Sequence, residues 1–158
     1  MPQRLPMPNR IFVKSLTLIL FISLIVIIDP QASAFCFSRA GLVYNISPQL
    51  LEAIARVESG LDPSAFNRNR DGSCDYGLMQ INSRWQEGLS GNWRYLSDPC
   101  YNVLVGTWIL RQCMDRYGYT WDAVSCYHSG KGISDLSGAK RKRAIEYVGK
   151  VRRALWEK

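Results

Sequence analysis

The 158-residue sequence lacks the features that would place it outside ordinary globular proteins. Its 12 glycines and 7 prolines form no collagen-like repeat, and neither a low-complexity stretch nor an internal repeat occurs. Charged residues make up 21% of the chain against 47% hydrophobic residues, which excludes a wholly disordered polypeptide. The length fits one domain with a real core and leaves little room for two.

Several kinds of reaction chemistry have no matching motif. The chain has a single histidine, His128, and shows no metal-ligand spacing, no nucleotide-binding loop and no nucleophile elbow. We therefore expect neither a metal nor a cofactor.

The N-terminus has the pattern of a secretory signal peptide. Arg4, Arg10 and Lys14 precede an apolar run at residues 15–28, and an Ala-Ser-Ala sequence ends at Ala34. The run is shorter than the ~20 residues that span a bilayer as a helix, although an uncleaved anchor is the alternative. We expect cleavage after Ala34 and export to an oxidising compartment, which suits five cysteines.

The remaining chain is predicted to comprise one domain at residues 35–137 and a basic helix at 138–158 packed on it. The basic segment carries eight Lys or Arg against two Glu. A positive segment of this kind could bind nucleic acid, an anionic wall polymer or a protein partner. Export disfavours nucleic acid, because an exported protein acts outside the cytoplasm. Four apolar residues recur there at helical spacing and predict a buried face: Ile145, Val148, Val151 and Leu155.

Cap residues and turn signals predict the other elements. Ser47 followed by Pro48 begins a helix that stops at Gly60, and Asp98 followed by Pro99 begins a second long helix. Between them, an Asp-Gly pair at 71–72 suits a hairpin or a folded-back loop. The expected fold class is α+β, mainly α, with a small β-like insert between helices.

Glu58 is the first candidate for chemistry. It lies within about 40° of the stripe of Leu51 and Ile54 on a helix with 100° per residue, whereas Glu52 faces the surface. Desolvation and the helix C-terminus both raise the pKa of such a carboxyl, so it can donate a proton near neutral pH. The alternative is a structural Glu paired with an Arg.

A second carboxylate favours the chemical interpretation. Asp75 follows 17 residues later, in a polar segment rich in turn residues that suits the wall of a cleft. One carboxyl in an apolar site and one in a polar loop form the pattern of glycoside cleavage.

These residues resemble two branches of one superfamily. Glu58-Ser59 with NRNRDGSCDYGLMQINSRW at 67–85 is similar to c-type lysozyme, including the interval between the carboxylates. Glu58-Ser59-Gly60, GLMQ at 77–80 and Tyr127 with Gly130 resemble, in order, the three motifs of bacterial lytic transglycosylases. CFSRAGLVYNISPQLLEAIARVESGL, DPCYNVLVGTWIL and RYGYTWDAV are similar to the small periplasmic transglycosylases associated with type III secretion.

The resemblance implies a lysozyme-like fold and a peptidoglycan lytic transglycosylase. Such an enzyme would act in the periplasm, cleave glycan strands mainly to 1,6-anhydromuramic products and open the wall locally for a secretion apparatus. Cleavage of the signal peptide would leave it without a stable membrane anchor. The alternatives are a muramidase that hydrolyses the same bond and a non-catalytic peptidoglycan-binding scaffold.

The resemblance also implies roles for individual residues. Glu58 would be the acid that later becomes the base, and the sugar groove would be lined by Ser59, Met79, Gln80 and Tyr127. Asp75, as a second catalytic carboxylate, follows from the lysozyme resemblance alone, since most transglycosylases have no such residue. His128 departs from the family pattern, which usually has Asn after the Tyr. A solvated or hydrogen-bonded histidine is favoured there over a second catalytic base.

The five cysteines cannot all pair. We expect disulfides between Cys36 and Cys100 and between Cys113 and Cys126, which leaves Cys74 as the free thiol.

Overall fold

The computed structural model describes residues 35–156, so the predicted signal peptide lies outside the described residues. The described chain is mainly helical with one small antiparallel sheet, which confirms the predicted fold class. The helices are α1 (Phe37–Tyr44), α2 (Pro48–Ser59), α3 (Gln86–Leu89), α4 (Pro99–Tyr117), α5 (Trp121–Ser129) and α6 (Gly138–Trp156). The strands are β1 (Phe66–Arg68), β2 (Cys74–Tyr76) and β3 (Ile81–Asn82), and three 3₁₀ segments cover Ser83–Trp85, Ser90–Ser97 and Ile133–Asp135.

The predicted caps define the two helices that frame the site. The Ser47 hydroxyl accepts a hydrogen bond from the backbone N–H of Leu50, and α2 ends at Gly60, whose φ of 68° suits glycine. In α4 the Asp98 carboxylate accepts from the N–H of Tyr101 at 2.7 Å. Both helices begin with a proline directly after the cap, as the sequence predicted.

Helix α1 was not predicted. It is only eight residues long, and its N-cap residue Cys36 makes no side-chain cap. A helix this short is marginal in water by itself. It is held by packing and by the Cys36–Cys100 disulfide, which ties its start to α4.

The sheet has the order β1-β2-β3 and contains the predicted hairpin. The Asp71 carboxylate accepts from the N–H of Ser73 at 3.0 Å, and Gly72 takes a φ of 85° in the turn between β1 and β2. Asp75 in the middle strand pairs with Asn67 on one side and Asn82 on the other. The sheet therefore places amide side chains on both sides of Asp75.

The core lies between the helices and the back of the sheet. Leu51 and Ile54 are fully buried, as the predicted stripe on α2 requires, together with Leu78 and Leu110. Glycine at 106 in α4 is needed for close approach, because a Cβ there would lie 2.6 Å from the Cβ of Met79.

Helix α6 packs against α2 and α5, but its buried face differs from the predicted one. Val148 and Val151 are buried as expected, whereas Ile145 is 50% exposed. Ala144 and Tyr147 complete the buried face instead. The prediction was wrong at Ile145 because α6 is rotated so that Tyr147 faces the C-terminal end of α2. None of the described helices is long and apolar enough to cross a membrane.

Candidate active site

A groove of about 780 Å³ separates the sheet from the helices and contains both predicted carboxyl groups. Glu58 comes from α2, and Asp75 comes from β2. The rest of the lining includes Asn69, Gln80, Asn82, Arg84, Trp85, Gln112, Arg116, Tyr127 and His128.

Glu58 lies at the last turn of α2 and is half-buried. The Tyr147 hydroxyl, on α6, donates a hydrogen bond of 2.6 Å to Glu58 Oε1. Burial raises the pKa of the Glu58 carboxyl to about 7; the hydrogen bond from Tyr147 opposes this shift, and the negative charge of Asp75 adds to it. Near neutral pH this carboxyl can both donate and accept a proton.

Asp75 is held by two amide side chains. Asn82 Nδ2 donates to Asp75 Oδ1 at 2.7 Å, and Asn69 Nδ2 donates to Asp75 Oδ2 at 2.9 Å. One bond therefore reaches each carboxylate oxygen, which orients the group in the groove.

The four residues predicted to contact sugar fall into two pairs. Gln80 and Tyr127 line the groove. Met79 is fully buried in the core, and the Ser59 hydroxyl bonds to the carbonyl of Leu78 at 2.9 Å, so both lie behind the groove wall.

Three main-chain contacts keep this wall in shape. The Tyr127 hydroxyl donates to the carbonyl of Met79 at 2.6 Å, which ties α5 to the loop before β3. Burial raises the pKa of the Tyr127 hydroxyl well above its usual value, so it remains a donor. Gln80 Nε2 donates to the carbonyl of Gly77 at 2.9 Å, and the N–H of Met79 donates to Asn102 at 2.8 Å.

Sequence reasoning missed the residues that surround the two carboxyl groups. Tyr147 is 89 positions from Glu58, and no local pattern links them. Helical spacing also allows an alternative buried face of α6 that contains Ala144, Tyr147 and Val148. Choosing that face would have predicted that Tyr147 is buried. Asn82 lies on the neighbouring strand and pairs with Asp75 across the sheet, and no sequence pattern indicated this pairing.

The disulfides follow the expected pairing. Cys36 is bonded to Cys100 and Cys113 to Cys126, and Cys74 on β2 is a free, half-buried thiol. Within residues 35–156, no three His, Cys, Asp or Glu side chains are grouped as metal ligands.

A half-buried acid with a pKa near 7, facing an oriented carboxylate across an open groove, suits the cleavage of a glycosidic bond. The leaving sugar oxygen is a poor leaving group unless it is protonated, and Glu58 can supply the proton. Fold and site thus define a lysozyme-like enzyme that acts on glycan chains.

Comparison with known proteins gives the particular family. The family model described as "Transglycosylase SLT domain" matches residues 35–148, and the chain belongs to this family. It is 46% identical over 127 residues to "Invasion protein IagB" of Salmonella typhimurium strain SL1344, covering 77% of this chain and 79% of that protein. It is 40% identical over 119 residues to "Protein IpgF" of Shigella flexneri, covering 73% and 75% of the two chains. It is also 37% identical over 131 residues to a "Peptidoglycan-binding-like protein" of Escherichia coli O157:H7, covering 76% and 75%.

Membership of this family defines the class of reaction and the class of substrate. The protein is a lytic transglycosylase-type enzyme that acts on peptidoglycan.

Proposed function

We propose that this enzyme cleaves the β-1,4 bond between N-acetylmuramic acid and N-acetylglucosamine and leaves a 1,6-anhydromuramic end. The observation that carries the proposal is the position of Glu58 in the groove with a pKa raised by burial to about 7. A group with this pKa is populated in both protonation states near neutral pH, and the reaction uses both.

In the first step, protonated Glu58 transfers its proton to the glycosidic oxygen. The bond between that oxygen and the anomeric carbon of the muramic sugar breaks, and the N-acetylglucosamine part leaves as an alcohol. Positive charge develops on the muramic ring. Asp75, oriented by Asn69 and Asn82, is the negative group on the opposite wall that stabilises this charge.

In the second step, the Glu58 carboxylate accepts the proton of the 6-hydroxyl of the same muramic sugar. The hydroxyl oxygen bonds to the anomeric carbon and closes the anhydro ring. Glu58 is protonated again, and no water is consumed. An intramolecular hydroxyl has a high effective concentration when the groove holds the ring in the right orientation.

The groove wall supplies binding. Gln80 and Tyr127 line the groove. Their donor groups bond to main-chain carbonyls, so Gln80 Oε1 and the Tyr127 oxygen are the atoms that would accept hydrogen bonds from sugar hydroxyl and acetamido groups. Ser59 and Met79 contribute from behind, because one fixes the carbonyl of Leu78 and the other presents its own carbonyl to Tyr127.

Hydrolysis is the second candidate outcome, and Asp75 is the observation that favours it. Retaining glycosidases place a second carboxylate about 5 Å from the first, and it holds the intermediate until water arrives. The presence of Asp75 and Glu58 in one groove is compatible with that route.

Mass spectrometry of the released muropeptides tests the proposal. Purified peptidoglycan is digested with the wild-type enzyme, and an anhydro product is lighter than its hydrolysed counterpart by one water. We expect mainly anhydro ends. A digest dominated by reducing ends would mean that the enzyme is a muramidase, and a loss of those ends in Asp75→Asn would assign the water route to Asp75.

The proposal extends to the cellular role. The signal-like N-terminus supports export to the periplasm, and similarity to proteins named for invasion supports a role in opening the wall locally for a secretion apparatus. Expression of the full chain followed by cell fractionation and intact-mass measurement tests the first part. A periplasmic product lacking residues 1–34 is expected, and an unprocessed membrane-bound chain would contradict it.

A further inference from the structure

The single histidine of the chain lies at the rim of the groove, next to the residue that contacts the catalytic acid. The ring of His128 is stacked on the ring of Tyr147, with centroids 4.1 Å apart and an angle of 9° between the planes. Tyr147 in turn donates its hydroxyl hydrogen to Glu58. One side chain, that of Tyr147, thus separates His128 from the catalytic acid.

Two cationic side chains flank this stack. Arg143 and Lys150 lie four positions before and three positions after Tyr147 on α6, so they share its face of the helix. Both are exposed. Their electrostatic influence reaches His128, whose pKa is lowered by burial and then by the charges of Lys150 and Arg143, while Asp75 opposes the shift.

These two cations have no anionic partner within the described part of the chain. Glu146 lies between them in sequence, but no ion pair joins it to either one. Of the two arginines in the groove lining, Arg84 is paired with Asp71 at 2.6 Å, and Arg116 has no ion pair within the described residues. The rim cluster, defined as His128, Arg143 and Lys150, is therefore a positive site next to the groove whose charge is not neutralised.

We propose that the rim cluster binds carboxylates of the peptide stem that hangs from the muramic sugar, so that the enzyme prefers strands that still carry their stems. This inference rests on the proposed placement of the glycan in the groove. The cleaved sugars of a stem-bearing strand are uncharged, and the negative charge resides on the stem. Arg143 and Lys150 lie outside the groove lining, so a group that extends away from the sugar is better placed to contact them than the sugar itself.

A strand without stems has another carboxylate, the free lactyl group of the muramic acid. That group stays close to its sugar ring and hence inside the groove, whereas the stem extends beyond it. Position therefore favours the stem as the ligand of the two exposed cations, and the two sources of carboxylate can be compared directly.

Kinetics on two soluble substrates separate these sources. The double variant Arg143→Gln/Lys150→Gln is compared with Lys142→Gln/Arg153→Gln, which removes the same charge from another face of α6. On uncrosslinked stem-bearing strands we expect the rim variant to raise KM about threefold to tenfold with little change in kcat, because exposed ion pairs are individually weak. On strands stripped by an amidase we expect no change, and the control variant should behave as wild type.

The result has clear alternatives. A loss on the stripped strands alone would assign the cluster to the lactyl carboxylate and overturn the proposal. Equal loss on both substrates would mean that the cations act on a feature common to both strands, and would overturn it as well. An equal rise of KM in the control variant would mean that the net charge of the enzyme, and not the rim cluster, causes the effect, which would also overturn the proposal. An unchanged KM of the rim variant on stem-bearing strands would mean that Arg143 and Lys150 do not bind the stem. Added salt should weaken the wild-type preference, since exposed charges are screened.

NMR of the single histidine gives a readout that does not depend on cleavage. In Glu58→Gln, the His128 ring signals are titrated with pH alone, with a muramic-containing disaccharide, and with the same disaccharide bearing its stem. The stem should raise the His128 pKa, because its carboxylates offset the charges of Lys150 and Arg143. An equal rise with both ligands, or none with either, would contradict the proposal, while failure of the anhydro mechanism would leave this measurement unaffected.

Discussion

The helical wall and the sheet wall of the groove each present one carboxyl group and hold it by different means. Glu58 on the helical wall is half-buried and receives one hydrogen bond, from Tyr147, and burial raises its pKa to about 7. Asp75 on the sheet wall receives one amide hydrogen bond on each oxygen, from Asn82 and Asn69. Burial makes a proton donor of one carboxyl, whereas amide donors orient the other.

The walls also differ in how they are stabilised. Both disulfides join helical segments, one from the start of α1 to α4 and one from α4 to α5. The sheet wall has strands of two or three residues and depends on side-chain hydrogen bonds, and its Cys74 is unpaired. The disulfides thus constrain α1, α4 and α5, whereas α2, which carries the acid, contains no disulfide.

The largest effect is expected from removal of the acid itself. Glu58→Gln is nearly isosteric but cannot donate a proton, so the rate of peptidoglycan cleavage should fall about 100-fold to 10,000-fold. The measurement is muropeptide release, with thermal unfolding to check the fold. Glu52→Gln is the matched control, since Glu52 is on the same helix and pairs with Arg56 at 2.6 Å. Near-normal clearance by the Glu58 variant would favour the scaffold alternative.

The next effect concerns the frame of the helical wall. The double variant Cys36→Ser/Cys100→Ser opens a link across 64 positions and should lower the free energy of unfolding by about 4 kcal/mol in the chain-entropy account. Urea unfolding measures it. Cys74→Ser is the control and should change much less, because its thiol is free. Peptide mapping without reduction that finds Cys74 in an intramolecular bridge would overturn this assignment.

A smaller effect should follow loss of the phenol donor on the helical wall. Cleavage starts from protonated Glu58, so the wild-type rate should fall as pH rises through about 7. The Tyr147 hydrogen bond stabilises the charged carboxylate, so Tyr147→Phe should raise the Glu58 pKa and move this limb upward by about one pH unit. A pH profile of kcat/KM measures the shift. Tyr119→Phe, which loses a bond to the Ser47 N–H instead, should leave the limb in place.

The smallest shift of the pH limb is expected from a change in the sheet wall, and its direction is opposite to that of Tyr147→Phe. The charge of Asp75 raises the Glu58 pKa less than burial does, so Asp75→Asn should move the same limb slightly downward. Its rate loss should be less than that of Glu58→Gln, because charge stabilisation supports a departure that protonation begins. Asp62→Asn, at an exposed carboxylate outside the groove lining that accepts from the N–H of Ser64, is the control. An upward shift in Asp75→Asn would contradict the electrostatic contribution assigned to Asp75.

Much of the secondary structure around the site could be predicted, because its sequence signals are local. Ser47, Pro48 and Gly60 define α2, and helical spacing alone turns Glu58 toward the apolar side. The turn at 71–72 and its short strands also follow from nearby residues. The lysozyme-like pattern of the two carboxylates then indicated a glycan-cleaving enzyme before any contact was known.

Tertiary structure decided the rest, for reasons that no local pattern contains. Helix α1 is too short for its own propensity to predict it. The rotation of α6 buries Tyr147 and exposes Ile145, and it depends on the packing of α6 against α2 and α5. The sequence by itself determined which carboxyl groups are available and on which elements they lie. Their chemical difference arises only when distant segments meet, because desolvation and hydrogen bonding depend on neighbours such as Tyr147, 89 positions from the acid it contacts.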